Sequence, residues 1–117
     1  MLIAVYPLEP SSELSEALLL TGLDPIPMPD PPTSEDWDIA VIEFTDPAAA
    51  SWRMSRSLVE DLGVPVLAVV DRAQASLLAD APHVADFVIG QPDPIELRVR
   101  LARLARTEIT DDVVRFK

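Results

Sequence analysis

The sequence predicts an α/β domain: a five-stranded parallel sheet with helices on both faces. Two observations predict it. Short, continuous apolar runs such as Leu2-Ile3-Ala4-Val5-Tyr6 suit strands buried on both faces. Segments with apolar residues at helical spacing alternate with these runs along the chain. Size and composition agree. A chain of 117 residues, 49% of them hydrophobic, has room for one domain and enough apolar surface to build its core. No run of ~18 apolar residues occurs, so no membrane span is expected. The start MLIAVYPLEP lacks the basic flank and long apolar stretch of a signal peptide, which points to a cytoplasmic chain. With no cysteine and one histidine, His83, disulfide frameworks and Cys/His zinc sites are excluded. The net charge of −11 argues against this segment itself gripping nucleic acid, which needs a basic surface.

The first strand, 2–6, ends at Pro7 and Pro10. Ser11 and Ser12 offer N-caps, and Glu13 and Glu16 favour the positive end of the helix dipole. Leu14, Ala17 and Leu18 mark the buried face of a helix near 12–21, with Gly22 placed to end it. In Asp24-Pro-Ile-Pro-Met-Pro-Asp-Pro-Pro32 the prolines at 25, 27 and 29 alternate. In a strand their missing N–H groups all fall along one side, which only an edge strand tolerates; a polyproline linker is the alternative. Thr33 to Trp37 leave room for a second helix of one turn at most.

Asp38-Ile-Ala-Val-Ile-Glu-Phe44 is the next buried strand. Asp46-Pro47 then reads as an N-cap followed by proline in the first helical position, opening a helix that Gly63 closes. Residues 65–70 form another buried strand. A short helix over about 73–80 turns Ala73 and Leu77 inward, and 86–89 is a short last strand. Asp93-Pro94 repeats the cap-and-proline device and opens a helix to about Arg106, with Leu97, Leu101, Leu104 and Ala105 as its buried stripe. This succession fits a doubly wound, flavodoxin-like sheet in the order 2-1-3-4-5, which puts the proline-bearing strand on an edge.

Ligands of such sheets bind beyond the carboxyl ends of the strands. The residues there and along the last helix bear a family likeness. Asp38-Ile-Ala-Val-Ile-Glu43, Pro65-Val-Leu-Ala-Val-Val70, Ala85-Asp-Phe-Val-Ile89 and Pro94-Ile-Glu-Leu-Arg-Val-Arg-Leu101 resemble the receiver domain of bacterial two-component response regulators of the OmpR/PhoB type. The resemblance spans about residues 2–106 and implies a CheY-like fold. Working receivers hold Mg²⁺ with an acidic pair after the first strand and take a phosphoryl group on an aspartate ending the third. A hydroxyl residue ends their fourth strand and a lysine follows the fifth. Here the corresponding positions are Tyr6 and Pro7, Glu43, Val70, and Gly90 or, shifted by one, Gln91. No lysine precedes Lys117. The resemblance therefore implies a degenerate, phosphorylation-independent receiver, not an enzyme and without cofactor. The nearest likeness is to orphan regulators of the GlnR type.

Glu43 is open to two readings, a built-in mimic of aspartyl phosphate or a carboxylate at a solvated strand end, and the latter is expected. Asp46 is expected as a helix cap rather than a displaced acceptor. Glu9, Glu43, Asp46 and Asp71 are hard oxygen donors of the kind that suit Mg²⁺ or Ca²⁺, but no metal site is expected from them. His83 is expected on the surface with no catalytic part, and the three glycines form no phosphate cradle.

Arg98, Arg100, Arg103 and Arg106 place four of the nine cationic residues on the last helix. A Glu96–Arg100 pair on a solvated face is one explanation. The family likeness implies another, dimerisation through the last strand and helix. Asp86 would face Arg100 or Arg103 of a second copy around an apolar centre at Val99, with Glu96 in the ring, in a self-complementary homodimer. Residues 107–117 read as a turn-like linker and the first strand of a winged-helix DNA-binding domain. DNA contact is thus expected only through that further domain. The implied function is that of a homodimerisation module in a bacterial transcriptional regulator. The alternative is a sensory pseudo-receiver that binds a small molecule or protein at the strand-end rim.

Overall fold

The computed structural model describes residues 2–28, 37–45 and 48–115, with side chains described to residue 104. Five strands form one parallel sheet: β1 (Ile3–Tyr6), β2 (Ile26–Pro27), β3 (Ile39–Phe44), β4 (Val66–Val70) and β5 (Asp86–Ile89). Their spatial order is β2-β1-β3-β4-β5, the doubly wound, flavodoxin-like order that the sequence predicts. The helices are α1 (Ser12–Leu20), α2 (Ala49–Leu62) and α3 (Pro94–Arg115), and a 3-10 helix covers Arg72–Asp80.

Strand alternation divides the core in two. Ala4, Tyr6, Ala40, Ile42, Phe44, Val66, Ala68 and Val70 face Met54 and Leu58 of α2. Ile3, Val5, Ile39, Val41, Leu67, Val69 and Val88 face Leu14 and Leu18 of α1 and Leu97 and Leu101 of α3. Every residue of β1, β3 and β4 is buried, which is why these strands read as unbroken apolar runs rather than alternating ones.

The edge position of β2 follows from its prolines. Met28 N–H donates to Val5 O at 2.9 Å, and Pro27 pairs in register with Val5. The residues between the prolines thus supply the donors to β1, and Pro25 and Pro27 turn their missing N–H groups outward. The expected turn of helix at 33–37 lies, except for Trp37, outside the described residues.

Helix ends show where local chemistry was followed and where it was not. Ser11 Oγ accepts from Leu14 N, and Gly22 takes φ +78° just past α1, the left-handed turn that suits glycine. Asp93 Oδ1 accepts from Ile95 N at 2.8 Å and Glu96 N at 3.1 Å, so the cap-and-proline start of α3 is as predicted. Helix α2 begins later than its Asp-Pro signal suggests: Ala48 is the N-cap and makes no side-chain bond. Asp46 and Pro47 lie outside the described residues.

Two expectations need correction. The 3-10 helix turns Ala75 and Leu78 toward the core, not Ala73 and Leu77. With three residues per turn, inward positions recur at i and i+3, and Asp71 sets the phase by accepting from Gln74 N at 3.0 Å. Helix α3 continues to Arg115 instead of ending near Arg106. No glycine or proline follows Pro94, so nothing in Thr107–Asp112 stops the backbone, and Val113–Arg115 is helical rather than a strand.

Candidate functional site

The carboxyl ends of the strands surround a cleft of about 430 Å³. Glu43 of β3 projects toward it, beneath the N-terminus of α1. Its Oε1 accepts from Ser11 N at 2.8 Å and its Oε2 from the Ser11 hydroxyl at 2.5 Å. The Ser11 oxygen also accepts from Leu14 N at 3.2 Å. Only 9% of Glu43 is exposed. The expected solvated carboxylate is therefore a buried, doubly hydrogen-bonded one, held where a helix N-terminus favours negative charge. Ser51 Oγ, from α2, donates to Glu43 O at 2.8 Å and fixes the end of β3 from the other face.

Val70 and Gly90 line this cleft with Ser11, Thr45 and Gln91. Tyr6 and Pro7, expected in the same pocket, do not. Tyr6 is buried in the core facing α2, because the alternation that turns Ala4 to that face turns Tyr6 there too. Pro7, joined to Tyr6 by a cis peptide bond, is half-buried and does not line the cleft. Asp71, the acid that follows β4, spends one oxygen on capping Gln74 N. Among the described residues no three acidic or histidine side chains gather as a metal site; Asp46 lies outside them.

His83 is more than a surface residue. Its Nε2 lies 2.8 Å from the Oγ of Ser55, a fully buried residue of α2. Ser55 also donates to Trp52 O at 2.8 Å, and the His83 ring meets Trp52 edge-on at 5.5 Å. Trp52 in turn meets Phe44 edge-on at 6.3 Å. Burial holds the His83 pKa below its ordinary value, helped by nearby Arg56 and opposed by Glu60. The buried hydroxyl gives no access to a substrate, so this pair clasps a loop to a helix.

A second constellation lies on β5 and α3. Asp86, Glu96, Val99, Arg100 and Arg103 surround one hollow of about 270 Å³, so all five expected interface residues share a surface. The expected pairing changes, however. Arg100 Nη1 reaches Asp86 Oδ1 at 2.9 Å and Oδ2 at 3.0 Å within the same chain. Its Nε lies 3.5 Å from Glu96 Oε1, an electrostatic contact too long for a good hydrogen bond. The hydrogen bond that Arg100 donates to Asp86 leads in raising the Arg100 pKa. Arg100 is thus spent inside the chain. Arg103, exposed and without an ion pair among the described residues, is the cation left on this surface, next to a half-exposed Val99.

The sequence reading missed the Ser11–Glu43 bond and the Ser55–His83 clasp. The first was accessible: in a 2-1-3 order the N-terminus of α1 stands over the ends of β1 and β3, so a cap serine there meets a carboxylate ending β3. The second joins residues 28 positions apart on elements whose relative rotation no local pattern records. Among the described residues no helix is long and apolar enough to cross a membrane. Set beside family models, curated proteins and solved structures, the chain matches none of them.

Proposed function

We propose that this chain is a receiver-like domain that works without phosphorylation and joins two copies of a DNA-binding transcriptional regulator, as the GlnR-type likeness implies. One observation carries this proposal: Asp86, Glu96, Val99, Arg100 and Arg103 share a single hollow of mixed charge in a chain of net charge −11. Two such chains repel over most of their surface. Here cations and anions alternate around an apolar residue, so a two-fold contact is self-complementary. The rim supports the same proposal, since Val70 offers no hydroxyl and the Glu43 carboxylate is taken by Ser11. DNA would be contacted by a further domain of the parent protein.

Sedimentation velocity at micromolar concentration tests this. A dimer is expected, unchanged by acetyl phosphate and Mg²⁺ and weakened by Arg103→Glu. A monomer, or a dimer that responds to acetyl phosphate, would overturn it.

The rim cleft favours a second reading, a sensory domain for a small molecule. Its volume of about 430 Å³ lies in the range of ligand pockets. A metabolite screen by thermal shift separates the two, because only a ligand-binder gains stability with a compound.

A further inference from the structure

In a doubly wound sheet the element between two parallel strands covers the face they share. Between β4 and β5 that element is the 3-10 helix Arg72–Asp80, which has no buried residue and brings only Ala75 and Leu78 to the edge of the core. The effect falls on β5. Its alternation sends Val88 to the α3 face, where it is buried, and Phe87 and Ile89 to the other. Val66, Ala68 and Val70, on that same face of neighbouring β4, are buried, yet Phe87 is 45% exposed and Ile89 43%. Two large apolar side chains stand side by side on an edge strand because the connection beside them is too slight to cover them.

The two edges of the sheet differ. The β2 edge carries prolines that spoil pairing. The β5 edge has none, and just around it lie Asp86, Glu96, Arg100 and Arg103. Asp86 and Phe87 are adjacent on β5 and turned to opposite faces, so the mixed-charge hollow and the apolar strip flank the same sheet edge. An apolar centre with a polar rim is the anatomy of a specific protein contact. The rim selects the occupant: in a chain of net charge −11, a region presenting both Arg103 and the acids Asp86 and Glu96 complements its own image.

We infer that Phe87 and Ile89 form the apolar centre of a contact with a second copy of this chain, left bare by the 3-10 connection, with Val99 at its margin. This rests on the dimerisation proposed above and replaces Val99 as the centre.

The test compares self-association of the whole chain with that of Phe87→Ser, Ile89→Ser, Arg103→Glu and Leu19→Ser. Leu19 is a control, an exposed apolar residue of α1 outside both the strip and the hollow. Circular dichroism verifies folding, and side chains already nearly half exposed tolerate serine. Phe87→Ser and Ile89→Ser are each expected to weaken association by about tenfold or more, as central apolar anchors do, and Leu19→Ser to leave it unchanged. A dimer that survives both serine variants but falls apart with Arg103→Glu overturns this inference and leaves the dimer standing. A monomeric parent chain overturns both. Equal weakening by Leu19→Ser marks general stickiness and also overturns it.

Discussion

Ser11 binds Glu43 through both its backbone N–H and its hydroxyl, while the same hydroxyl oxygen caps α1 at Leu14. One residue thereby joins the start of a helix to the end of a neighbouring strand. Removing either partner leaves the other short of bonds in a nearly buried place. Ser11→Ala is expected to cost about 1–2 kcal/mol of stability, through loss of the cap and of one charge-assisted bond. Glu43→Gln is expected to cost about 1 kcal/mol, as neutral bonds replace charged ones. The double variant should lose less than the sum of the two. Urea unfolding measures all three, and additivity within about 0.5 kcal/mol would deny the coupling.

The same pair shows what the sequence discloses and what it does not. Strands β1, β3 and β4 were legible because burial on both faces leaves a run of apolar residues with no polar interruption. The edge place of β2 was legible from the donors its prolines lack. Asp93-Pro94 declared the start of α3, because both residues act on the backbone next to them. The partner of Glu43 follows from the strand order, which sets the start of α1 over the ends of β1 and β3, and not from any pattern local to Glu43. The sequence offers Asp86 either Arg100 or Arg103 as a partner, and the spacing of β5 and α3 brings Arg100 to it within one chain. The end of α3 is not legible because Thr107–Asp112 is polar and turn-like in sequence, yet holds neither glycine nor proline to stop a helix.

His83 makes stability depend on pH in a defined direction. The fold lowers its pKa from the ordinary 6.5, so the native state favours the neutral ring. The resulting stabilisation is fully present above the unfolded value near 6.5 and is lost as pH falls through the folded value. His83→Gln should flatten this part of the stability profile. As the lone histidine, its ring protons titrate without overlap in proton NMR. A midpoint at or above 6.5 would contradict the clasp as described.

The Asp86–Arg100 bridge is partly solvated, with about a third of each side chain exposed, so its contribution to folding is small. Asp86→Asn is expected to lower stability by about 0.5–1 kcal/mol at low salt and by less as salt screens the pair. A loss of several kcal/mol, insensitive to salt, would show a pair buried more deeply than the geometry has it. Stability and association should part company here. Arg103, which has no ion pair among the described residues, is expected to leave unfolding unchanged when replaced by glutamate while weakening the dimer.

An aspartate placed at position 43 should not confer phosphotransfer. Glu43→Asp places the shorter carboxylate at the position where the resemblance to receivers puts their acceptor, yet three supports remain missing. No lysine precedes Lys117 to offset the phosphoryl charge. Val70 occupies the hydroxyl position and is buried. Tyr6 and Pro7 stand where an acidic pair would hold Mg²⁺, and Tyr6 is turned into the core. A carboxylate without a metal and a counter-charge has no means of stabilising a transferring phosphoryl group in its transition state. Intact-mass spectrometry of Glu43→Asp after incubation with acetyl phosphate and Mg²⁺ should therefore show the unmodified chain alone. A phosphorylated species in either the parent or the variant would mean that the rim performs phosphotransfer without these three supports.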